Sequence, residues 1–108
     1  EWVAVISFHP EAVAEASKAG LVSGLIYSRP PGEIIQAHRL GARLVLPIHT
    51  LATASAVGLA HRMRLKVVAW TVNQPNQALE LSTRGVDAIA TDRPDLILRA
   101  RRQVVGVS

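Results

Sequence analysis

Short apolar runs recur along the chain, and each is followed by a mixed segment that opens or closes on a helix signal. Val3 to Phe8 has no charged residue and reads as a buried strand. His9-Pro10-Glu11 follows, with a proline and an acid where a first helical turn accepts them. That helix runs to about Ala19 and stops at Gly20. Leu21 to Tyr27 is the next strand. Arg29-Pro-Pro-Gly32 is a loop, because neither proline fits a helix interior or a central strand. Glu33 to Leu40 is a short helix ending at Gly41. Arg43 to Ile48 is the third strand, with Pro47 at its exit. Thr50 to about Met63 is the longest helix, with Thr50 as its expected N-cap. Leu65 to Val72 is the fourth strand and Pro75 to Arg84 the fourth helix. Val86 to Thr91 is the fifth strand, and Pro94 to Gln103 the last helix.

The helix stops are evenly placed. Gly20 and Gly41 are 21 positions apart, Gly41 and Arg64 are 23, and Arg64 and Gly85 are 21. Glycine is the usual residue at the left-handed position after a helix. Arg64 takes that place in the series, so it should carry a φ costing on the order of 1 kcal/mol. A unit of strand, helix and glycine is the βα repeat of a parallel sheet. A leucine-rich repeat has a similar length, but its L-x-x-L-x-L pattern is absent. The repeat fits an open doubly wound sheet or an arc of a (β/α)8 barrel. No Gly-x-Gly-x-x-Gly follows the first strand, which weakens the dinucleotide option.

Composition narrows the classes. The 108 residues suit one small domain, and 49% are apolar while only 4% are aromatic. No run reaches the roughly 18 apolar residues of a membrane span. No signal-peptide pattern opens the chain. It starts at Glu1, not Met, so an upstream portion is expected. Without cysteine there is no disulfide framework or thiolate zinc site, and the compartment stays open. The net charge of +4 comes from ten arginines and two lysines against eight acids. The cations are scattered except for Arg99, Arg101 and Arg102 in the last helix, where they complement its dipole. Aromatic residues are not interleaved with them, so a nucleic-acid platform is not expected.

Both parallel architectures place function at the carboxyl ends of the strands. Those ends are Ser7-Phe8-His9, Tyr27-Ser28, Ile48-His49, Thr71-Val72-Asn73 and Thr91-Asp92-Arg93. All carry polar or aromatic groups. Phe8 and Trp70 are the large rings there, either core plugs or an apolar wall. Asn73 either hydrogen-bonds a substrate or makes an Asx turn before Pro75. Asp92 is the one carboxylate at a strand exit; it caps the helix that Pro94 opens, or serves a site. One carboxylate does not build an oxygen-ligand cation site. His9 reads as a turn residue beside the first helix, against an acid–base role. His49 either faces a pocket or is a solvated loop residue. His38 and His61 lie in helices. No His-x-His or His-x3-His ligand spacing occurs.

Three stretches resemble the glycerophosphodiester phosphodiesterase family. AHRMRLKVVAWTVNQP (60–75) is similar to its helix, strand and Trp-Thr-Val-Asn turn. RGVDAIATDRPDLIL (84–98) is similar to its Gly-Val-Asp and Thr-Asp-Arg-Pro-Asp closing stretch. VISFHPEAV (5–13) resembles its Ser-Phe strand exit. The resemblance covers nearly the whole chain but only the later part of the family's domain. It implies an α/β fold in which residues 1–108 form about five βα units of a TIM-type barrel, as one C-terminal segment. It implies a metal-dependent enzyme that hydrolyses glycerophosphodiesters to an alcohol and glycerol 3-phosphate, with Ca²⁺ or Mg²⁺. The family's His-Arg-Gly, Glu-x-Asp and His-Asp motifs are absent. No catalytic residue and no metal ligand is therefore expected in this segment. Phe8, Trp70 and Asn73 are expected to form the substrate-side wall.

Two partners follow from that reading: the missing N-terminal barrel segment or a second copy of the chain, beside the small-molecule substrate. The rival reading is a non-catalytic part-barrel that acts by self-association or by binding a partner segment, since an arc of five strands leaves two edges and an inner face uncovered. A third is an open-sheet binder of small molecules, for which no specific residue speaks.

Overall fold

A computed structural model describes residues 4–29, 33–95 and 97. The expected Arg29-Pro-Pro-Gly32 loop and the end of the last helix, with its arginine cluster, fall wholly or mostly outside these residues. Among the described residues five strands alternate with four complete α-helices: β1 (Ala4–Ser7), α1 (Pro10–Lys18), β2 (Val22–Tyr27), α2 (Ile34–Arg39), β3 (Leu44–Pro47), α3 (Ala54–Arg62), β4 (Lys66–Ala69), α4 (Pro75–Thr83) and β5 (Ala88–Ile89). The strands lie in chain order in one sheet, and every neighbouring pair is parallel.

The two faces of the sheet differ. Side chains alternate along a strand, and Leu25, Tyr27, Val45 and Val67 point to the helices. There they pack with Val13 of α1, Ile34 and Ala37 of α2, and Val57 and Ala60 of α3. Tyr27 is 3% exposed in this layer. Burial, with a smaller push from Glu33, raises its phenol to about 12. A second cluster, Ala52, Ala69, Val72 and Leu81, seats α4 on β4.

The opposite face carries Ile6, Gly24, Leu44 and Lys66 in register. A β-carbon on Gly24 would lie 2.8 Å from a methyl of Leu46 and 3.2 Å from one of Ile6. Those side chains therefore close over the glycine, and their convergence marks this face as the concave one. No helix covers it among the described residues. Ile6 is 49% and Phe8 53% exposed there.

The helix ends follow their local chemistry. Gly20, Gly41 and Gly85 have φ of 81°, 83° and 90°, and Arg64 has φ of 63°. Arg64 thus holds the left-handed position expected from the spacing. The start of the third helix differs from expectation. His49–Leu51 forms a single 3-10 turn, and α3 begins three residues later at Ala54. Thr53, not Thr50, is the cap: its hydroxyl accepts from the Ala56 N–H at 3.1 Å. The fourth strand is also shorter than expected. Its ladder ends at Ala69, with one further bridge from Trp70 to Ile48.

Candidate functional site

The carboxyl ends of the strands gather the expected residues unequally. Phe8 follows β1 and Trp70 follows β4, three strands away in the sheet. In a flat sheet those strands would lie roughly 14 Å apart, at about 4.8 Å per step. Their ring centroids are 6.0 Å apart, with planes at 89°. The arc curls enough for the two rings to meet edge to face, a favoured aromatic geometry. Trp70 is further fixed by its indole N–H, which donates to the Leu46 carbonyl at 2.6 Å. Its own N–H donates to Pro47 and its carbonyl accepts from His49. The bond between Trp70 and Thr71 is cis. Phe8 stays half exposed, so the pair presents an aromatic surface to the concave side rather than a sealed plug.

Asn73 lies between the last two strand exits. Its Oδ1 accepts from the Thr91 hydroxyl at 3.0 Å and from the Asp92 N–H at 2.8 Å. Because the Asp92 N–H can only donate, the amide oxygen must face it, and the Nδ2 group is the end left to point elsewhere. The Thr91 hydroxyl accepts in turn from the Arg93 N–H at 2.9 Å. The side-chain acceptor at this turn is therefore Thr91, where the sequence pointed to Asp92. Arg93 reaches forward to Asp95, at 3.0 and 3.2 Å, and the paired carboxylate raises its guanidinium pKa.

The histidines separate. His9 is at the N-cap position of α1 without a side-chain cap bond, and its N–H donates to Ser7 Oγ at 3.0 Å. His38 is exposed on α2. His49 lines a cleft against α4, and its N–H donates to the Trp70 carbonyl. His61 meets Asp87: its Nε2 lies 2.8 Å from Oδ2, which also accepts from the Val67 N–H at 2.8 Å. This contact ties α3 to the starts of β4 and β5, at the amino ends of the strands. In a barrel that end serves stability rather than chemistry. Sequence reasoning missed the pair, and the Gly-Val-Asp stretch was its only signal.

Among the described residues no three His, Asp or Glu side chains come together as metal ligands. Asp92 is the one carboxylate at a strand exit among them, so the donors on the described residues do not fit a divalent cation. No helix among these residues is long and apolar enough to cross a membrane.

Comparison with known proteins agrees with this geometry. The model of the glycerophosphoryl diester phosphodiesterase family matches residues 5–96. A Bacillus subtilis (strain 168) protein named as a glycerophosphodiester phosphodiesterase, YhdW, is 37% identical over 65 residues, 60% of this chain and 27% of that protein. A Silicibacter pomeroyi protein named as a glycerophosphoryl diester phosphodiesterase superposes over 97% of this chain, at a TM-score of 0.85 and 26% identity. An Oleispira antarctica phosphodiesterase, solved in complex with its product sn-glycerol 3-phosphate, superposes over 93% at 0.82 and 23% identity, a likeness of fold. The chain spans only 39% and 42% of those two proteins. Its five parallel βα units are thus part of a TIM-type barrel, and the chain belongs to the glycerophosphoryl diester phosphodiesterase family, a family of hydrolases.

Proposed function

We propose that this chain is the C-terminal part of a glycerophosphodiester phosphodiesterase barrel and forms the substrate-side wall of its site. The complete enzyme hydrolyses a glycerophosphodiester to an alcohol and glycerol 3-phosphate. The observation that carries this reading is the contact of Phe8 and Trp70 at the carboxyl ends of the strands, 6.0 Å apart on the concave side. A half-exposed ring pair of this kind packs against the C–H groups of a glycerol or alcohol moiety. The Nδ2 group of Asn73, turned away from the loop that its oxygen holds, is a donor for a hydroxyl or phosphate oxygen.

The reacting groups come from outside these residues. Phosphodiester cleavage needs a proton donor, a proton acceptor and concentrated positive charge on the phosphoryl oxygens. The single carboxylate at a strand exit, Asp92, supplies none of the pairings this requires. The acid–base residues and the ligands of the Ca²⁺ or Mg²⁺ ion therefore belong to the N-terminal part of the barrel. This chain's own work is to bind, to orient and to exclude water on one side.

The test is a turnover assay of the 108-residue chain with glycerophosphocholine, with and without Ca²⁺ or Mg²⁺. No metal-dependent release of glycerol 3-phosphate is expected. Sustained turnover would overturn the division of roles.

A second reading has its own observation. The concave face exposes Ile6 at 49% and Phe8 at 53%, and exposed apolar surface of this kind is a docking surface. A part-barrel acting by association would cover it with a partner segment or with a second copy of the chain.

A further inference from the structure

A cleft of about 340 Å³ lies between the 3-10 turn and α4, lined by His49, Thr50, Gln77, Glu80, Leu81 and Arg84. That volume is at the lower end for small-molecule sites, roughly 300–1,000 Å³. At the cleft Leu81 packs with Ala69 and Val72. Phe8 and Trp70 are not among its lining residues.

Its lining combines both signs of charge. Glu80 and Arg84 are four residues apart and share one face of α4, and they form an ion pair. Arg84 also reaches the opposite wall, where Nη1 donates to the Ala52 carbonyl at 3.4 Å. Leu81, 3% exposed, gives an apolar floor. Thr50, Gln77 and His49 add further hydrogen-bonding groups. An anion alone would meet Arg84 but be repelled by Glu80. An ammonium alone would meet the reverse. The Glu80 carboxylate and the Arg84 guanidinium are in direct contact, and a molecule carrying both charges can take up the two side chains together once that contact opens. The existing pair resists little, because its members are 31% and 62% exposed and pairs so placed contribute little.

We propose that this cleft binds a small zwitterion, with Arg84 and Thr50 receiving its anionic group and Glu80 its primary ammonium. The inference does not rest on the role given to Phe8 and Trp70, and it holds or fails separately from it.

Nuclear magnetic resonance titration of the ¹⁵N-labelled chain tests it, with three probes: O-phosphoethanolamine, inorganic phosphate and ethanolamine. Saturable shifts are expected at the Thr50 amide and the Gln77 side-chain amide. O-phosphoethanolamine should reach half-saturation at a concentration at least about tenfold lower than either half-molecule. Glu80 is exposed, so its substitutions leave the fold intact. Glu80→Gln should weaken the zwitterion to the level of phosphate, and Glu80→Lys should make phosphate the better ligand. Equal response to all three probes, shifts centred on Phe8 and Trp70 instead, or indifference to both substitutions would overturn the proposal.

Discussion

One carboxylate oxygen, Oδ2 of Asp87, holds together three parts of the chain. It accepts from the Val67 N–H and faces His61 Nε2, both at 2.8 Å. Desolvation alone would raise the Asp87 pKa. The Val67 N–H, the His61 hydrogen bond and charge, and Lys66 outweigh it, so the pKa falls below its ordinary value. The unfolded chain, with Asp near 3.9, then takes up the proton first as pH falls. The contribution of Asp87 is complete above about pH 4 and is lost as pH drops further, through the folded value. Replacing Asp87 with Asn keeps an acceptor for Val67 but removes the charge, and should cost about 1 kcal/mol at neutral pH. Urea unfolding of both proteins should show that difference shrinking as pH falls below about 4. A constant difference there would mean that the charge of Asp87 does not matter. The His61 pairing could not be read from the sequence. The two residues are 26 positions apart, and a histidine within a helix looks the same whether it is solvated or bonded.

The elements were legible wherever backbone chemistry decides their limits. Gly20, Gly41 and Gly85 mark three helix ends because φ is positive there, and Arg64 extends the series at φ 63°. A β-carbon at such a position costs about 1–2 kcal/mol, partly offset because glycine loses more chain entropy on folding. Arg64→Gly should therefore stabilise the chain by up to about 1 kcal/mol, read as a rise in the urea midpoint. A lower midpoint would mean that the Arg64 side chain contributes more than its backbone conformation costs. The start of α3 was less legible, because two threonines, Thr50 and Thr53, precede it within four residues. Only the structure shows that the Thr53 hydroxyl receives the Ala56 N–H while Thr50 sits in a separate turn. The exit of β4 was legible in part. Trp70 was recognisable as a rim residue, but the hydrogen bond from its indole to Leu46 depends on a neighbouring strand that local pattern does not describe. The oxygen of Asn73 is likewise spent on Thr91 and Asp92, 18 and 19 residues away.

At the scale of the whole molecule, the repeat of strand, helix and glycine indicated parallel order but left an open sheet and a barrel arc equally possible. Both share that repeat; they differ in curvature, which depends on how side chains pack over Gly24 and at the strand exits. The concave face has consequences in solution. Its exposed apolar residues, Ile6 and Phe8, need a cover, and among the described residues β1 and β5 are sheet edges. Size-exclusion chromatography with light scattering should show the 108-residue chain as a dimer or higher assembly, with Ile6→Asp shifting it toward monomer. A compact monomer at all concentrations would argue against an uncovered arc. The curvature itself has a more direct test, a nuclear Overhauser measurement between the Phe8 ring and the Trp70 indole. The account predicts a cross-peak, because the centroids are 6.0 Å apart and the rings meet edge to face. If the cross-peak is missing while those between β1 and β2 and between β3 and β4 are present, the sheet is flat and the two rings do not share a wall.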